Sequence, residues 1–263
     1  MRSCARATPS GADQVWRSGV RQSRATGTVL DVASDVASDV VSSEFPQTRV
    51  ILVRHGESNV TVRRVVGGPR TCDGLSPLGV QQAERLRDRL LGTDEFDATL
   101  LVSSAYPRAR QTAEVIAPAV GLDVAVEPGF GEHDPGPDCD GLSFHEFVER
   151  YGMPDWESDP HTATFPGGET IAEFDLRVGS TLSRTIAEHR GGTLVIVCHG
   201  GVIDGVVRTA LRAPRTGLFE LHTKNTSLTE IVQVRADRWR LVRYNDAAHL
   251  AGLPSESPRS SDS

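Results

Sequence analysis

Three short segments pair histidine or arginine with the end of an apolar run. Arg54-His55-Gly56-Glu57-Ser58 follows Arg49–Val53, and Cys198-His199-Gly200-Gly201 closes Thr193–Cys198. Ser103-Ser104 follows Ala98–Val102 and leads into Arg108-Ala109-Arg110-Gln111-Thr112-Ala113. Guanidinium is a permanent cation with a fork of donors, and imidazole changes role near neutrality. Two imidazoles and two or more guanidiniums at one point would make a site for a dianionic phosphate. Gly56, Gly200 and Gly201 would let the backbone approach such a ligand. Helices starting there would offer free amides.

These residues meet only if the apolar runs are neighbouring strands. The spacing predicts helices over Ser76–Leu91, Arg108–Val120, Gly168–His189 and Gly201–Leu211. Val124–Val126 reads as a brief strand, and Leu228–Val234 and Trp239–Tyr244 alternate like strands. Strand and helix in turn predict an α/β fold, a three-layer α/β/α sandwich with a mostly parallel central sheet. In such sheets ligands gather beyond the carboxyl ends of the strands. His55, Arg108 and His199 would then share one edge.

The ends of the chain read differently. Residues 1–46 are rich in Ser, Ala, Arg and Asp, and contain the near-repeat at 32–40, so a disordered arm is expected. The folded domain is expected over 47–247, followed by a flexible tail over 248–263.

Composition removes several function classes. The chain has 263 residues with 35 Asp+Glu against 28 Lys+Arg, a net charge of -7, opposite to that of a non-specific nucleic-acid binder. Lys224 is the only lysine, and its neighbours Thr223 and Asn225 do not form a P-loop. A kinase lysine and His-Arg-Asp loop are missing too, and the setting of Lys224 does not suggest a pyridoxal phosphate Schiff base. No run of roughly eighteen apolar residues exists, so no membrane helix is expected. The 4 cysteines form no Cys-x-x-Cys pair, which argues for a reducing, cytoplasmic location. No His-Glu-x-x-His or carboxylate cluster suggests a metal, and no cofactor is implied. Self-association as a homodimer is compatible with the sequence.

Four ordered motifs carry a resemblance: Leu-Val-Arg-His-Gly-Glu-Ser (52–58), Ser-x-x-x-Arg-Ala-x-Gln-Thr-Ala ending at Ala113, Glu132 to Gly136, and Val-Cys-His-Gly-Gly (197–201). Over about residues 48–245 the chain resembles the histidine phosphatase superfamily, which includes cofactor-dependent phosphoglycerate mutase. The resemblance implies a phosphoglycerate mutase-like fold and a small-molecule phosphomonoester substrate. It makes His55 the nucleophile, with Gly56 orienting it through its carbonyl. Arg54, Arg108 and His199 would hold the three non-bridging oxygens. Glu132 would protonate the leaving oxygen and then activate water. Asn225 would supply a late polar contact, and Gly56, Gly200 and Glu57 would lie against substrate. Elementary chemistry agrees: a neutral imidazole is nucleophilic only while its other nitrogen keeps the proton. Cations fixed around the transferring phosphoryl group then dominate catalysis.

The plainer readings are a surface role for Arg110, an acidic solvated loop around Glu132, and caps or turns for Asn225 and Glu169. Glu57 would equally suit the first turn of a helix. Thr61 stands where the family commonly has Asn, residues 66–73 only loosely resemble the mutase substrate loop, and no long insertion follows Glu132. These departures favour hydrolysis over mutase activity. A cysteine phosphatase at Cys198 would need arginine six residues on, where Asp204 stands. From another class, a binding module that has lost catalysis would not need a nucleophile. Asp155, Trp156, Phe165 and Arg215 are candidate pocket residues.

Overall fold

Each of the central apolar runs becomes a strand because both of its faces find a hydrophobic layer. The computed structural model describes residues 45–154, 159, 161–162, 164–214 and 221–254. β1 (Thr48–Arg54), β2 (Leu100–Ser103), β3 (Val124–Val126) and β4 (Thr193–Cys198) lie parallel, and β5 (Leu228–Arg235) and β6 (Arg238–Asp246) complete one sheet in the order β3-β2-β4-β1-β5-β6. β5 runs antiparallel to β1, and β6 antiparallel to β5.

Side chains alternate across this sheet as strand geometry requires. Val50, Leu52, Leu194 and Ile196 face the layer of α5 (Ile171–Glu188) and α6 (Gly200–Leu211), packing with Phe174, Val178, Leu182, Val202 and Val206. Ile51, Val53, Val195 and Val197 face α2 (Pro77–Thr93) and α3 (Pro107–Val120), packing with Leu86, Leu90, Ala109 and Ala113. The result is the three-layer sandwich expected from the alternation of elements.

Two helices lie outside that pattern. α1 (Asn59–Val62) is a single turn, and α4 (Phe144–Tyr151) fills a stretch for which no helix was expected. Ser143 and Glu146 form a reciprocal capping box at its start, which offsets the cost of so short a helix. α5 begins later than the predicted Gly168. Thr170 and Glu173 cap it, and Gly168 and Glu169 serve the preceding loop instead. The arm expected over 1–46 lies, apart from 45 and 46, outside the described residues. The tail expected from 248 opens as a 3-10 turn over Ala248–Leu250, with His249 Nε2 2.9 Å from the Thr226 hydroxyl.

The register aligns the strand ends that matter. Arg54 sits opposite Cys198, and Ser103 opposite Val197, so His55, Ser104 and His199 leave the sheet at one edge. Ile196 lies fully buried in the middle strand. Ile196→Ala should therefore cost about 3 kcal/mol of stability in urea unfolding. A loss under about 1 kcal/mol would show that the α5–α6 layer does not close over β4.

Candidate active site

Strand pairing continues one residue beyond β1, where the His55 amide donates to the Cys198 carbonyl at 2.9 Å. This sets His55 beside His199, with ring centroids 5.0 Å apart and planes at 62°. Pro107 starts α3 with its fixed φ, and Arg108 follows in the first turn. Its Nε–H lies 3.1 Å from His55 Nε2 and 3.3 Å from His199 Nδ1. A guanidinium only donates, so both of those ring nitrogens present lone pairs.

The remaining nitrogens must hold the protons. His55 Nδ1–H donates to the Gly56 carbonyl at 2.6 Å, and His199 Nε2–H to the Ser104 hydroxyl at 2.7 Å. These tautomers follow from the hydrogen-bond network. Burial, then Arg108, then Arg54 hold His55 well below the ordinary 6.5. Burial, then Arg108, then His55 do the same to His199. The site therefore keeps both rings neutral, with the His55 lone pair directed to the cations.

Other groups fix this pair from behind. Arg54 donates to the Thr223 carbonyl. Asn225 Nδ2 donates to the His55 carbonyl at 2.7 Å, so it positions the backbone of His55. Gly56 N–H donates to Thr112, and a Cβ on Gly56 would lie 2.5 Å from the Gly79 carbonyl. Glu57 is not the first-turn acid of a helix. Only 3% exposed, its carboxylate accepts from the Ser76 hydroxyl at 2.7 Å, and the same hydroxyl oxygen caps α2. The nearest helix, α1, starts at Asn59 without an acid in its first turn.

Glu132 follows the 3-10 turn Pro128–Phe130 and reaches the start of α6. Its carboxylate accepts from the amides of Gly201 and His133, each at 3.1 Å. The helix N-terminus suits a carboxylate. A Cβ on Gly201 would fall closer than 3.0 Å to that carboxylate, so a side chain there would push Glu132 out of this position. Gly200 is the first residue of α6, and a Cβ there would make only ordinary contacts at 3.7 Å.

A cleft of about 690 Å³ opens beside Glu132, bounded in part by Tyr106, Asp134, Glu169, Glu173 and Arg177. The candidates Asp155, Trp156 and Arg215 lie outside the described residues. Phe165 is buried, with its ring 5.0 Å from Phe147 and 5.9 Å from His133. Arg110 is a surface residue, 3.6 Å from Glu114 one helical turn on. Sequence reasoning missed Ser104 as the partner of His199, and Tyr106, whose ring lies 4.8 Å from His199 and 4.6 Å from the Arg108 guanidinium. It also missed Arg177, which holds the loop of Glu132.

The family model described as the histidine phosphatase superfamily, branch 1, matches residues 50–247. The chain belongs to the histidine phosphatase superfamily. A curated relative, phosphoglycerate mutase-like protein 4 of Arabidopsis thaliana, is 29% identical over 80% of this chain and 90% of its own length. A mycobacterial glucosyl-3-phosphoglycerate phosphatase structure is 27% identical, with a TM-score of 0.65 over 76% of this chain and 99% of that one. A phosphoserine phosphatase structure from Entamoeba histolytica is 25% identical, with a TM-score of 0.63 over 77% of this chain and 99% of that one. Within this superfamily member Cys198 is fully buried, which pushes its thiol up and keeps it protonated, and Asp204 is paired with Arg208 at 2.9 Å. A thiolate nucleophile has no support there.

The neutral histidines have a measurable consequence. Ring-nitrogen NMR should show His55 and His199 still unprotonated as pH falls through 6.5. The unfolded chain gains those protons below 6.5 and the native chain does not, so the histidines' stabilising contribution should be lost as pH falls further. A midpoint at or above 6.5 for His55 would show that the guanidiniums do not control it.

Proposed function

We propose that this chain is a phosphomonoester hydrolase that works without a metal ion, through a phosphohistidine on His55, on a small phosphorylated metabolite. The observation that carries this reading is the fixed tautomer of His55. Its Nδ1–H is anchored on the Gly56 carbonyl, and its Nε2 lone pair stands 3.1 Å from Arg108.

The first step forms the bond from His55 Nε2 to phosphorus and breaks the ester P–O bond. The leaving oxygen takes a proton from Glu132. Arg54, Arg108 and His199 neutralise the equatorial oxygens as charge spreads over them. At about 4 Å and an effective dielectric near 20, one such cation is worth roughly 4 kcal/mol per unit charge. The ester arrives as its monoanion, and on binding its proton passes to His199 Nδ1, which becomes a donor and returns that proton to the phosphate as it leaves. In the second step water gives its proton to Glu132 and attacks phosphorus. The P–N bond breaks, inorganic phosphate leaves, and the His55 lone pair is restored.

The second reading is a phosphoglycerate mutase, in which the phosphoryl group returns to substrate. The Arabidopsis relative is described as phosphoglycerate mutase-like. The cleft beside Glu132 favours hydrolysis of other esters. Asp134, Glu169 and Glu173 border it with Glu132, and the Arg177 guanidinium there is already paired with Glu169 at 2.7 Å. Among the described residues its wall offers little to a substrate carboxylate, and suits a neutral or cationic alcohol.

Phosphate release from a metabolite panel with EDTA present should show turnover, and 3-phosphoglycerate with its bisphosphorylated primer should show little transfer. Loss of activity in EDTA would overturn metal independence. His55→Ala should abolish turnover of an aryl phosphate and the acid-labile label seen on rapid quench. Arg108→Ala should lower turnover by about 100–1,000-fold. A loss under about threefold would remove Arg108 from the site.

A further inference from the structure

Glu132 can act only as accurately as its loop is held. That loop, residues 127–136, contains Pro128, Gly129, Gly131, Pro135 and Gly136, and its only regular element is one 3-10 turn. Arg184 pairs with Glu127 at its start at 2.7 Å, and two further side chains from a later part of the chain fasten it around Glu132. Arg177, on α5, donates through Nη1 to the carbonyls of Gly129 at 2.9 Å and Gly131 at 3.0 Å, and through Nη2 to that of Glu132 at 3.4 Å. The same guanidinium forks onto Glu169, with Nε–Oε1 at 2.8 Å and Nη2–Oε2 at 2.7 Å.

Glu169 then grips the loop on the far side of Glu132. Its amide donates to the Asp134 carbonyl at 2.9 Å, and its carboxylate accepts from the Asp134 amide at 3.4 Å. The neighbouring Gly168 is pressed so close that a Cβ there would lie 2.6 Å from the Asp134 carbonyl. The Phe174 ring, 5.2 Å from the Arg177 guanidinium, would also meet a Cβ on Gly201 at 3.4 Å. Thus the clamp and the α6 amide that receives Glu132 share one packed unit. Lysine could not replace the fork, because it is a point charge on a flexible stem.

We propose that the Arg177–Glu169 pair is a positioning clamp for Glu132, setting that carboxylate against the leaving oxygen. This rests on the hydrolase reading above. A brace for the fold alone would affect every substrate equally. A clamp on the proton donor matters most when the leaving oxygen needs a proton to depart.

The test uses the full chain with Arg177→Lys and Glu169→Gln, on 4-nitrophenyl phosphate and on a simple alkyl phosphate. In both variants kcat/KM for the alkyl ester should fall by about 10–100-fold more than kcat/KM for the nitrophenyl ester. A burst of nitrophenol should appear, because phosphoenzyme hydrolysis still needs Glu132 as base. Hydrogen exchange at the amides of His133 and Asp134 should quicken, with the core strands unchanged. Equal losses of kcat/KM on both esters, or unchanged exchange, would overturn the clamp. If Arg177→Lys does not fold, Glu169→Gln alone decides by the same two readouts. If the wild-type chain hydrolyses neither ester, the hydrolase reading fails, and the exchange measurement still judges whether the pair holds the loop.

Discussion

A buried imidazole beside two guanidinium groups resists protonation, and the site is organised around that constraint. Removal from water already disfavours the charged ring, and Arg108 and Arg54 oppose it further. The one favourable contact for a ring proton is the Gly56 carbonyl, which takes it on Nδ1. Nε2 is thereby left bare beside the groups that would bind a phosphoryl dianion. The charges that keep His55 unprotonated are also those that would stabilise a phosphoryl group beside it, so the arrangement is matched to an anionic ligand.

That constraint makes demands on the fold. His55 and His199 are far apart in sequence, and only parallel pairing of β1 with β4 brings their strand ends level. β2, on the other side of β4, delivers Ser104 at the same edge, and its hydroxyl settles the tautomer of His199. The fully apolar middle of these strands, packed on both faces, leaves little freedom for the ends to slide.

How much of this was legible follows from how local each signal is. Val124–Val126 and Thr193–Cys198 match their expected bounds because turn residues flank short apolar runs. His55, Arg54, Arg108 and His199 were readable because each stands at a strand end or a helix start, where polar residues are conspicuous against apolar neighbours. α4 was missed although Ser143 and Glu146 hold the spacing of a capping box, since the Pro/Gly-rich stretch before it masked the signal. The Ser76 partner of Glu57 was not legible, because it lies beyond a loop whose path the sequence does not reveal. Ser104 and Arg177 have partners that depend on tertiary packing, and neither residue type at its position distinguishes a site group from a surface one.

The two halves of the chemistry are held by different means. In the proposed reaction the groups for the phosphoryl oxygens sit on backbone that the sheet or a helix start fixes through main-chain hydrogen bonds. The group proposed for the leaving oxygen, Glu132, sits on an irregular loop, fixed by side chains from α5 and by one amide of α6. A substitution in the loop or its fastening can therefore reshape the cleft that receives the alcohol while His55 and its cations stay where they are. On the proposed reading, recognition of phosphate and choice of ester would be mechanically separate in this architecture. Change in one does not require change in the other.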